Sequence, residues 1–406
     1  MYTISHVMKK AKPTAIDLFC GCGGISCGLQ QAGFNVLAGV DIEKKYMVTF
    51  AQNFTMAKSL CLDISSTSPR NFLKIIGMKA GELDLLAGGP PCQGFSKNVP
   101  RKFRFLNDQN NKLIKTFLDY CEVLQPRLIL MENVAEMKNG FNQAYTEEIV
   151  ARLREEGYTV TQAILNAADY GVPQRRRRAF FMANRDGIEL LPPSPTHDKN
   201  SSQLDLLSKS SHVSVWEAIG DLPSLKHGNG DQNCKYKLPP QSEYQMLMRN
   251  GQNTVSNHVA RKLQATQYER IASLKPGQSH KNLPMRLQVK SGYSGAYGRL
   301  TKEMIAPTIT RWVFHPGSGR WGHPVDLRLI TIREVARIQG FPDSFEFIGS
   351  YLQQAGQLGN AVPPLLIKQI AQSMLHQVYK SDLDKRSMNF SKENFSFSVG
   401  SEKLMV

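Results

Sequence analysis

Cys92 combines a reactive side chain with a sequence setting built to aim it. It stands in Gly88-Gly-Pro-Pro-Cys-Gln-Gly-Phe-Ser96, where Pro90 and Pro91 stiffen the chain just ahead of the thiol and Gly94 frees it just behind. Lys97, Arg101, Lys102 and Arg104 follow, and nearby positive charge favours the thiolate. Residue type alone would argue for a buried structural cysteine. The proline pair before it and the Gln-Gly after it argue for chemistry. A carboxyl group, Glu132, ends the apolar run Leu128-Ile-Leu-Met131, with Asn133 next to it as a possible helix cap. Emerging from so apolar a segment, Glu132 is expected to be partly desolvated, which favours the protonated form and lets it donate to a ring nitrogen. Gln174-Arg-Arg-Arg-Arg178 adds cations. In an extended chain Arg176 and Arg178 point one way, towards one site, and Arg175 and Arg177 the other way, towards phosphates.

A second constellation binds rather than reacts. In Asp17-Leu-Phe-Cys-Gly-Cys-Gly-Gly24, the glycines Gly21, Gly23 and Gly24 let the backbone approach a ligand and open a helix N-terminus towards it. Asp41 ends the following apolar run, where an acid can accept hydrogen bonds from a ribose hydroxyl pair. Asp63 comes after the next run and is placed to accept from an adenine amino group. A glycine turn with an acid about 20 residues on fits any adenosine-containing cofactor, a dinucleotide included. Cys20, Cys22 and Cys27 are close in sequence, but no Cys/His pair follows at zinc-finger spacing, so no metal is expected.

The elements that must hold these residues alternate. Apolar runs at Ala15–Phe19, Val36–Asp41, Leu83–Gly88, Leu128–Asn133, Val160–Ala167 and Ala179–Ala183 read as strands, and Ile25–Ala32 and Asn111–Leu124 read as amphipathic helices. That order predicts an α/β fold with a doubly wound, mostly parallel sheet and ligands at the carboxyl ends of its strands. The last two strands lack a helix between them and predict an antiparallel hairpin. Residues 1–184 and 328–380 are read as one catalytic, cofactor-binding domain. Residues 185–327, irregular and rich in Gly, Asn and Gln, form a smaller domain, and 381–406 is read as a flexible tail. Thr331–Gln339 predicts a short helix, and another runs from Pro364 to about Tyr379.

Composition narrows the class. The chain has 406 residues and a formal charge of +16, with no apolar run long enough to span a bilayer and no secretory signal. Seven cysteines, an odd number, give no disulfide framework and point to a reducing cytoplasm. Residues 185–244 carry 6 Lys/Arg against 8 Asp/Glu, a net of −2, whereas 245–330 carry 13 against 3, a net of +10. A charge concentrated in one stretch is what a phosphate-facing surface needs. Within it, Ala306-Pro-Thr-Ile-Thr-Arg311 offers Thr308 and Arg311, and Gly292-Tyr-Ser-Gly-Ala-Tyr297 offers Ser and Tyr, for phosphates and base edges.

Taken together, these segments resemble the cytosine-C5 DNA methyltransferases. The Phe-x-Gly-x-Gly-Gly turn, Pro-Pro-Cys-Gln, Glu-Asn-Val and Gln-x-Arg-x-Arg occur in that family's order, as do Arg333-Glu to Gln339-Gly-Phe-Pro342 and Gly359-Asn-Ala-Val-Pro-Pro364. The resemblance covers about 1–184 and 328–380. It implies S-adenosylmethionine as cofactor, with Phe19 and Ile42 flanking the adenine, Asp41 on the ribose, Asp63 and Ile64 lining the base, and Asn360 and Val362 closing the pocket. Pro91 and Leu113 belong to the same pocket. It also implies that Cys92 attacks carbon 6 of a cytosine flipped out of duplex DNA, Glu132 contacts N3 and the exocyclic amine, and Arg176 and Arg178 steady the base. Gln93 to Asn107 is expected to close over that base, with Gln93, Ser96 and Arg175 on the DNA. One departure is Asp108-Gln-Asn-Asn-Lys-Leu113, with Asn110 where arginine is usual. The middle region is the expected target-recognition domain. A monomer suffices, and a companion restriction endonuclease fits the length. A transfer-RNA-acting relative and a catalytically silent DNA binder remain as alternatives.

Overall fold

The computed structural model describes residues 12–91, 112–135, 144–199, 209–289 and 294–398, with side chains described for all of these except 144, 145 and 382–398. Seven strands make one sheet: β1 Thr14–Leu18, β2 Asn35–Asp41, β3 Lys58–Cys61, β4 Leu85–Gly88, β5 Leu128–Val134, β6 Thr159–Asn166 and β7 Arg177–Asn184. Their spatial order is β3-β2-β1-β4-β5-β7-β6. β1 to β5 pair in parallel, and β7 lies between β5 and β6, antiparallel to both. This is the doubly wound, mostly parallel sheet with a closing hairpin. β3 escaped the strand pattern because Lys58-Ser-Leu-Cys61 is short and mixed, as an edge strand can be.

The strands bury both faces, and alternate residues divide between two cores. Ile16, Leu86, Ile129, Met131 and Phe181 face one core with Phe72, Phe117 and Tyr120. Ala15, Leu85, Leu128, Leu130 and Phe180 face the other with Ile25, Leu29, Ile367 and Ile370. Helices α1 Gly24–Gln31, α2 Lys44–Asn53, α3 Pro69–Ile76, α4 Lys112–Leu124 and α5 Ala144–Glu155 belong to this first part of the chain. Short helices α6 Val215–Ile219, α7 Glu243–Arg249 and α8 Ala265–Ala272 punctuate the middle. The chain then returns through α9 Ile332–Ile338, α10 Tyr351–Asn360 and α11 Pro364–Ser398. α11 continues past Tyr379, where the apolar pattern stops, because neither proline nor glycine interrupts it before Ser398. α11 packs on α1 at Gly28, where a Cβ would lie 2.5 Å from the Pro364 oxygen and 2.6 Å from Ile367 Cβ. Among the described residues no helix is long and apolar enough to cross a membrane.

Buried charge keys the middle region to α9. Arg337, fully buried, reaches Asp221 Oδ1 at 2.5 Å and Asp343 Oδ2 at 2.6 Å, and Arg249 Nε reaches Asp221 Oδ2 at 2.6 Å. Arg328 forks onto both oxygens of Glu334 at 2.8 Å. Arg299 donates instead to main-chain oxygens, those of Leu274 and Val325 among them. Arg249, Arg299 and Arg328 therefore serve the interior, and the net charge of 245–330 overstates what that stretch offers to phosphates.

Candidate active site

At the end of β1 the backbone turns sharply. Phe19 adopts a left-handed conformation (φ 59°), as do Gly21 (55°) and Gly23 (101°). A bulky residue holds that conformation only where its surroundings impose it, and here it sets Phe19 on the wall of a cleft. Asp17 sits beneath the turn and accepts from Ser26 N (3.0 Å) and Ser26 Oγ (2.7 Å), tying α1 to β1. Burial pushes its carboxyl up to about 7, and Oδ1 has no partner among the described residues. Asp41, at the end of β2, accepts from Gly21 N (2.9 Å) and Glu43 N (2.8 Å), so its oxygens shape the turn; burial raises its pKa. Asp63 accepts from Ser65 N and Oγ, and those bonds draw its pKa below the ordinary range.

These groups border one cleft of about 760 Å³ at the carboxyl ends of the strands, where β1 and β4 diverge into opposite crossovers. Phe19, Gly21, Gly24, Asp41, Ile42, Asp63, Ile64, Pro91, Leu113, Asn360 and Val362 all line it. Ile42 is 63% exposed there, an apolar side chain left bare on a pocket rim. Gly23 stands behind the wall, where a Cβ would run into the Phe54 ring. Gly24 is needed for contact between distant segments: a Cβ there would lie 2.5 Å from the Val362 oxygen and 3.2 Å from the Val362 nitrogen.

The same cleft contains Glu132, Arg176 and Arg178. Glu132 leaves β5 only 9% exposed and meets Arg178 Nε at 2.8 Å, an opposite charge that the apolar run before it did not foretell. Asn133 donates from Nδ2 to the Pro90 oxygen (3.0 Å), lacing the end of β5 to the proline pair rather than capping a helix. The arginine run alternates as its spacing predicts, with Arg175 and Arg177 exposed and Arg176 buried. Arg176 donates to the oxygens of Ile309 (3.0 Å) and Gly359 (3.4 Å), while its Nε has no partner among the described residues. Burial, reinforced by Arg178 and opposed by Glu132, pushes Arg176 well below the usual guanidinium range. Because guanidinium stays protonated, this buried charge favours an acceptor brought into the cleft. Cys92, Gln93 and Ser96, with the rest of 92–111, lie outside the described residues.

Several pairings between these residues carried no sequence signal. Gln174, wholly buried, donates to Gln339 Oε1 (2.5 Å) and accepts from Ile309 N (2.8 Å). Arg175 N donates to the Ala306 oxygen (2.9 Å), and Thr308 Oγ1 donates to the Arg175 oxygen (2.6 Å). Segment 306–311 is thereby strapped to the hairpin. Arg311 lines the cleft itself, while Thr308 and Arg175 do not. Glu43 lines it too, and its carboxyl makes no hydrogen bond within the described residues. The acid two residues after Asp41 was the signal available for it. Cys20, Cys22 and Cys27 are buried, and burial raises each thiol. Among the described residues no three His, Cys, Asp or Glu side chains converge as a metal ion would require.

Residues 14–376 match the model of the C-5 cytosine-specific DNA methylases. The chain belongs to that family. It is 33% identical over 365 residues to the type II methyltransferase M1.HphI of Haemophilus parahaemolyticus, spanning 89% of this chain and 86% of that one. It is 34% identical over 376 residues to M.DdeI of Desulfomicrobium norvegicum, spanning 88% and 87%. Among solved structures, a prophage-encoded E. coli protein described as a DNA modification methyltransferase superposes with a TM-score of 0.70 at 25% identity, over 90% of this chain and 99% of that one. The enzyme is thus a DNA cytosine-5 methyltransferase with DNA as substrate.

Proposed function

We propose that this methyltransferase transfers a methyl group from S-adenosylmethionine to carbon 5 of a cytosine drawn out of a specific duplex site, through a transient bond between Cys92 and carbon 6. The observation that carries this reading is the single cleft. The glycine turn and acids form one wall of it, Glu132, Arg176 and Arg178 form another, and Pro91 leads from it directly to Cys92.

The residues present fit the cofactor. Phe19 and the bare Ile42 offer apolar faces for an adenine, Asp63 and Ile64 the edge beside it, and Asp41 and the unengaged Glu43 acceptors for ribose hydroxyls. Gly21 leaves room, with nothing within 4 Å of where its Cβ would stand. Pro91, Leu113, Asn360 and Val362 close the far side. When bound, S-adenosylmethionine would supply an electrophilic methyl group to the electron pair at carbon 5, its sulfonium–methyl bond breaking to leave the neutral thioether S-adenosylhomocysteine.

Carbon 5 of cytosine is a poor nucleophile. The Cys92 thiolate adds to carbon 6, and the electron pair of the 5,6 double bond becomes available at carbon 5. Glu132 contacts N3 and the exocyclic amine, and Arg176 and Arg178 stabilise charge moving towards the carbonyl oxygen on carbon 2. Once carbon 5 is methylated, its proton leaves to solvent, the 5,6 double bond re-forms and the thiolate departs. A stacked base is out of reach of such a cleft, so the cytosine must leave the helix. Gln93, Ser96, Arg175, Thr308 and Arg311 are assigned to holding the DNA. One chain suffices for one base. The type II relatives support a companion endonuclease reading the same site and a bacterial cytoplasmic setting.

Trapping tests the reading. Bisulfite sequencing of DNA from cells expressing the chain identifies the site, and a duplex carrying 5-fluorocytosine there is incubated with enzyme and cofactor. A covalent adduct mapping to Cys92 is expected, lost in Cys92→Ser. Labelled methyl should enter duplex DNA and not transfer RNA. No adduct, or preference for the RNA, would refute the proposal.

A further inference from the structure

The chain has three tryptophans, and they are treated very differently. Trp321 is buried and donates from Nε1 to Ser318 Oγ (2.9 Å). Trp216 is half-buried beneath Lys302, whose Nζ lies 4.5 Å from a ring centroid. Trp312 is 50% exposed. A single exposed aromatic needs no explanation by itself, but this one is held in place. Its main-chain oxygen accepts from His315 N (2.9 Å) and Ser318 Oγ (2.6 Å), and the next residue, Val313, is buried. Phe314 backs the indole at 5.6 Å between centroids. The Arg311 guanidinium, which lines the active-site cleft, lies 5.2 Å from its ring centroid. The segment is fixed from the other side by Gly359, also on the cleft wall, where a Cβ would collide with the backbone of Thr310 and Arg311. Trp312 is thus a rigid aromatic plate at the cleft's edge, flanked by a cation.

We infer that the Trp312 indole stacks on a base of the substrate duplex uncovered when the target cytosine leaves the helix. This makes Trp312 a positioning residue that steadies the opened DNA while Arg311 faces the cleft. Every base presents a π-face, and an indole preset against a cation loses little freedom on stacking, so the contact serves opening rather than sequence choice. The inference rests on the base being extruded, as proposed above.

Tryptophan emission and steady-state kinetics test it on the full chain, with the duplex identified by bisulfite sequencing and S-adenosylhomocysteine present for the binding measurements. Site-bearing duplex should quench wild-type emission, and Trp312→Phe should lose most of that change while keeping most of the activity. Trp312→Ala should lower kcat/KM for DNA by about 5- to 150-fold, the range that base–aromatic stacking spans, with S-adenosylhomocysteine affinity unchanged. A merely structural role would not be rescued by phenylalanine and would not place the quenching at this residue. Wild-type kcat/KM in Trp312→Ala, undiminished quenching in Trp312→Phe, or no quenching in the wild type would each overturn the inference. Should the alanine variant not fold, the phenylalanine variant's emission still decides. An adduct at Cys92 without a Trp312 response sinks this inference alone, whereas no adduct in the wild type sinks the reading beneath it.

Discussion

Gly24→Ala should damage cofactor binding and stability together, for a purely steric reason. Gly24 opens α1 with an ordinary backbone conformation, so alanine brings no torsional strain. Its methyl would lie 2.5 Å from the Val362 oxygen and 3.2 Å from the Val362 nitrogen. A carbon–oxygen contact relaxes at about 3.2 Å or more, so the strands of this contact must part by on the order of 0.7 Å. Both neighbours are backbone and cannot rotate away. Overpacking of this kind costs about 1–3 kcal/mol, against a helix-propensity gain of less than about 1 kcal/mol. Because Val362 and Gly24 both line the cleft, the displacement also deforms the wall proposed for the cofactor, and roughly tenfold weaker binding is expected, about 1.4 kcal/mol. Gly28→Ala is the control. It forces α1 and α11 apart through Pro364 and Ile367 at similar distances but does not border the cleft. Chemical denaturation and calorimetric titration with S-adenosylhomocysteine should show both variants destabilised and only Gly24→Ala weakened in binding. Wild-type affinity in Gly24→Ala, or equal loss in Gly28→Ala, would refute the reasoning.

Arg337→Met should cost about 3–5 kcal/mol, because it removes the guanidinium shared by two buried carboxylates and leaves Asp221 to Arg249 and Asp343 to Arg333 and Tyr236; denaturant unfolding or loss of soluble protein reads this, and a stable variant contradicts it. His323 Nδ1 accepts from Val325 N and Asp326 N, which requires the neutral ring, and burial pushes its pKa down to about 4. A histidine depressed on folding stabilises above its unfolded value and loses that contribution as pH falls. The stability gap between wild type and His323→Gln should therefore shrink between about pH 6.5 and pH 4, as chemical denaturation across that range would show. Duplex affinity should fall steeply with salt, and Arg175→Ala should reduce the log–log slope by about one. Arg299→Met, whose guanidinium is spent on main-chain oxygens, should leave that slope unchanged in filter-binding titrations.

The sheet was legible because buried strands announce themselves by apolar runs, and the hairpin because no helical pattern separates β6 from β7. Lys58–Cys61 was not, since an edge strand can be short and mixed. Cleft residues were legible where the backbone had to be special: Gly21 needs a positive φ, and Gly24 needs the absence of a side chain. Partnership was not legible. Nothing in the apolar run before Glu132 foretells Arg178 at 2.8 Å, and nothing in Gln174 names Ile309, 135 positions away. Charge counting overstates the exposed excess for the same reason, because burial decides whether an arginine meets phosphate or carbonyl, and Arg249, Arg299 and Arg328 are buried.

That long-range partnership bears on how recognition reaches chemistry. Gln174 bonds both to Gln339, which follows α9, and to Ile309, and Arg176 donates to Ile309 and Gly359. The middle region and the returning C-terminal segment are therefore coupled through Gln174 and Arg176 of the arginine hairpin, the second of which also lines the cleft. A shift of segment 306–311 against the hairpin cannot occur without loosening Arg176, whose buried Nε has no partner among the described residues. Mispositioned DNA that tilts this segment would thus disturb the group expected to steady the base, before any bond forms. Discrimination against wrong sites should accordingly appear in kcat as well as in KM, since contacts that misalign a reacting centre reduce turnover even when binding persists.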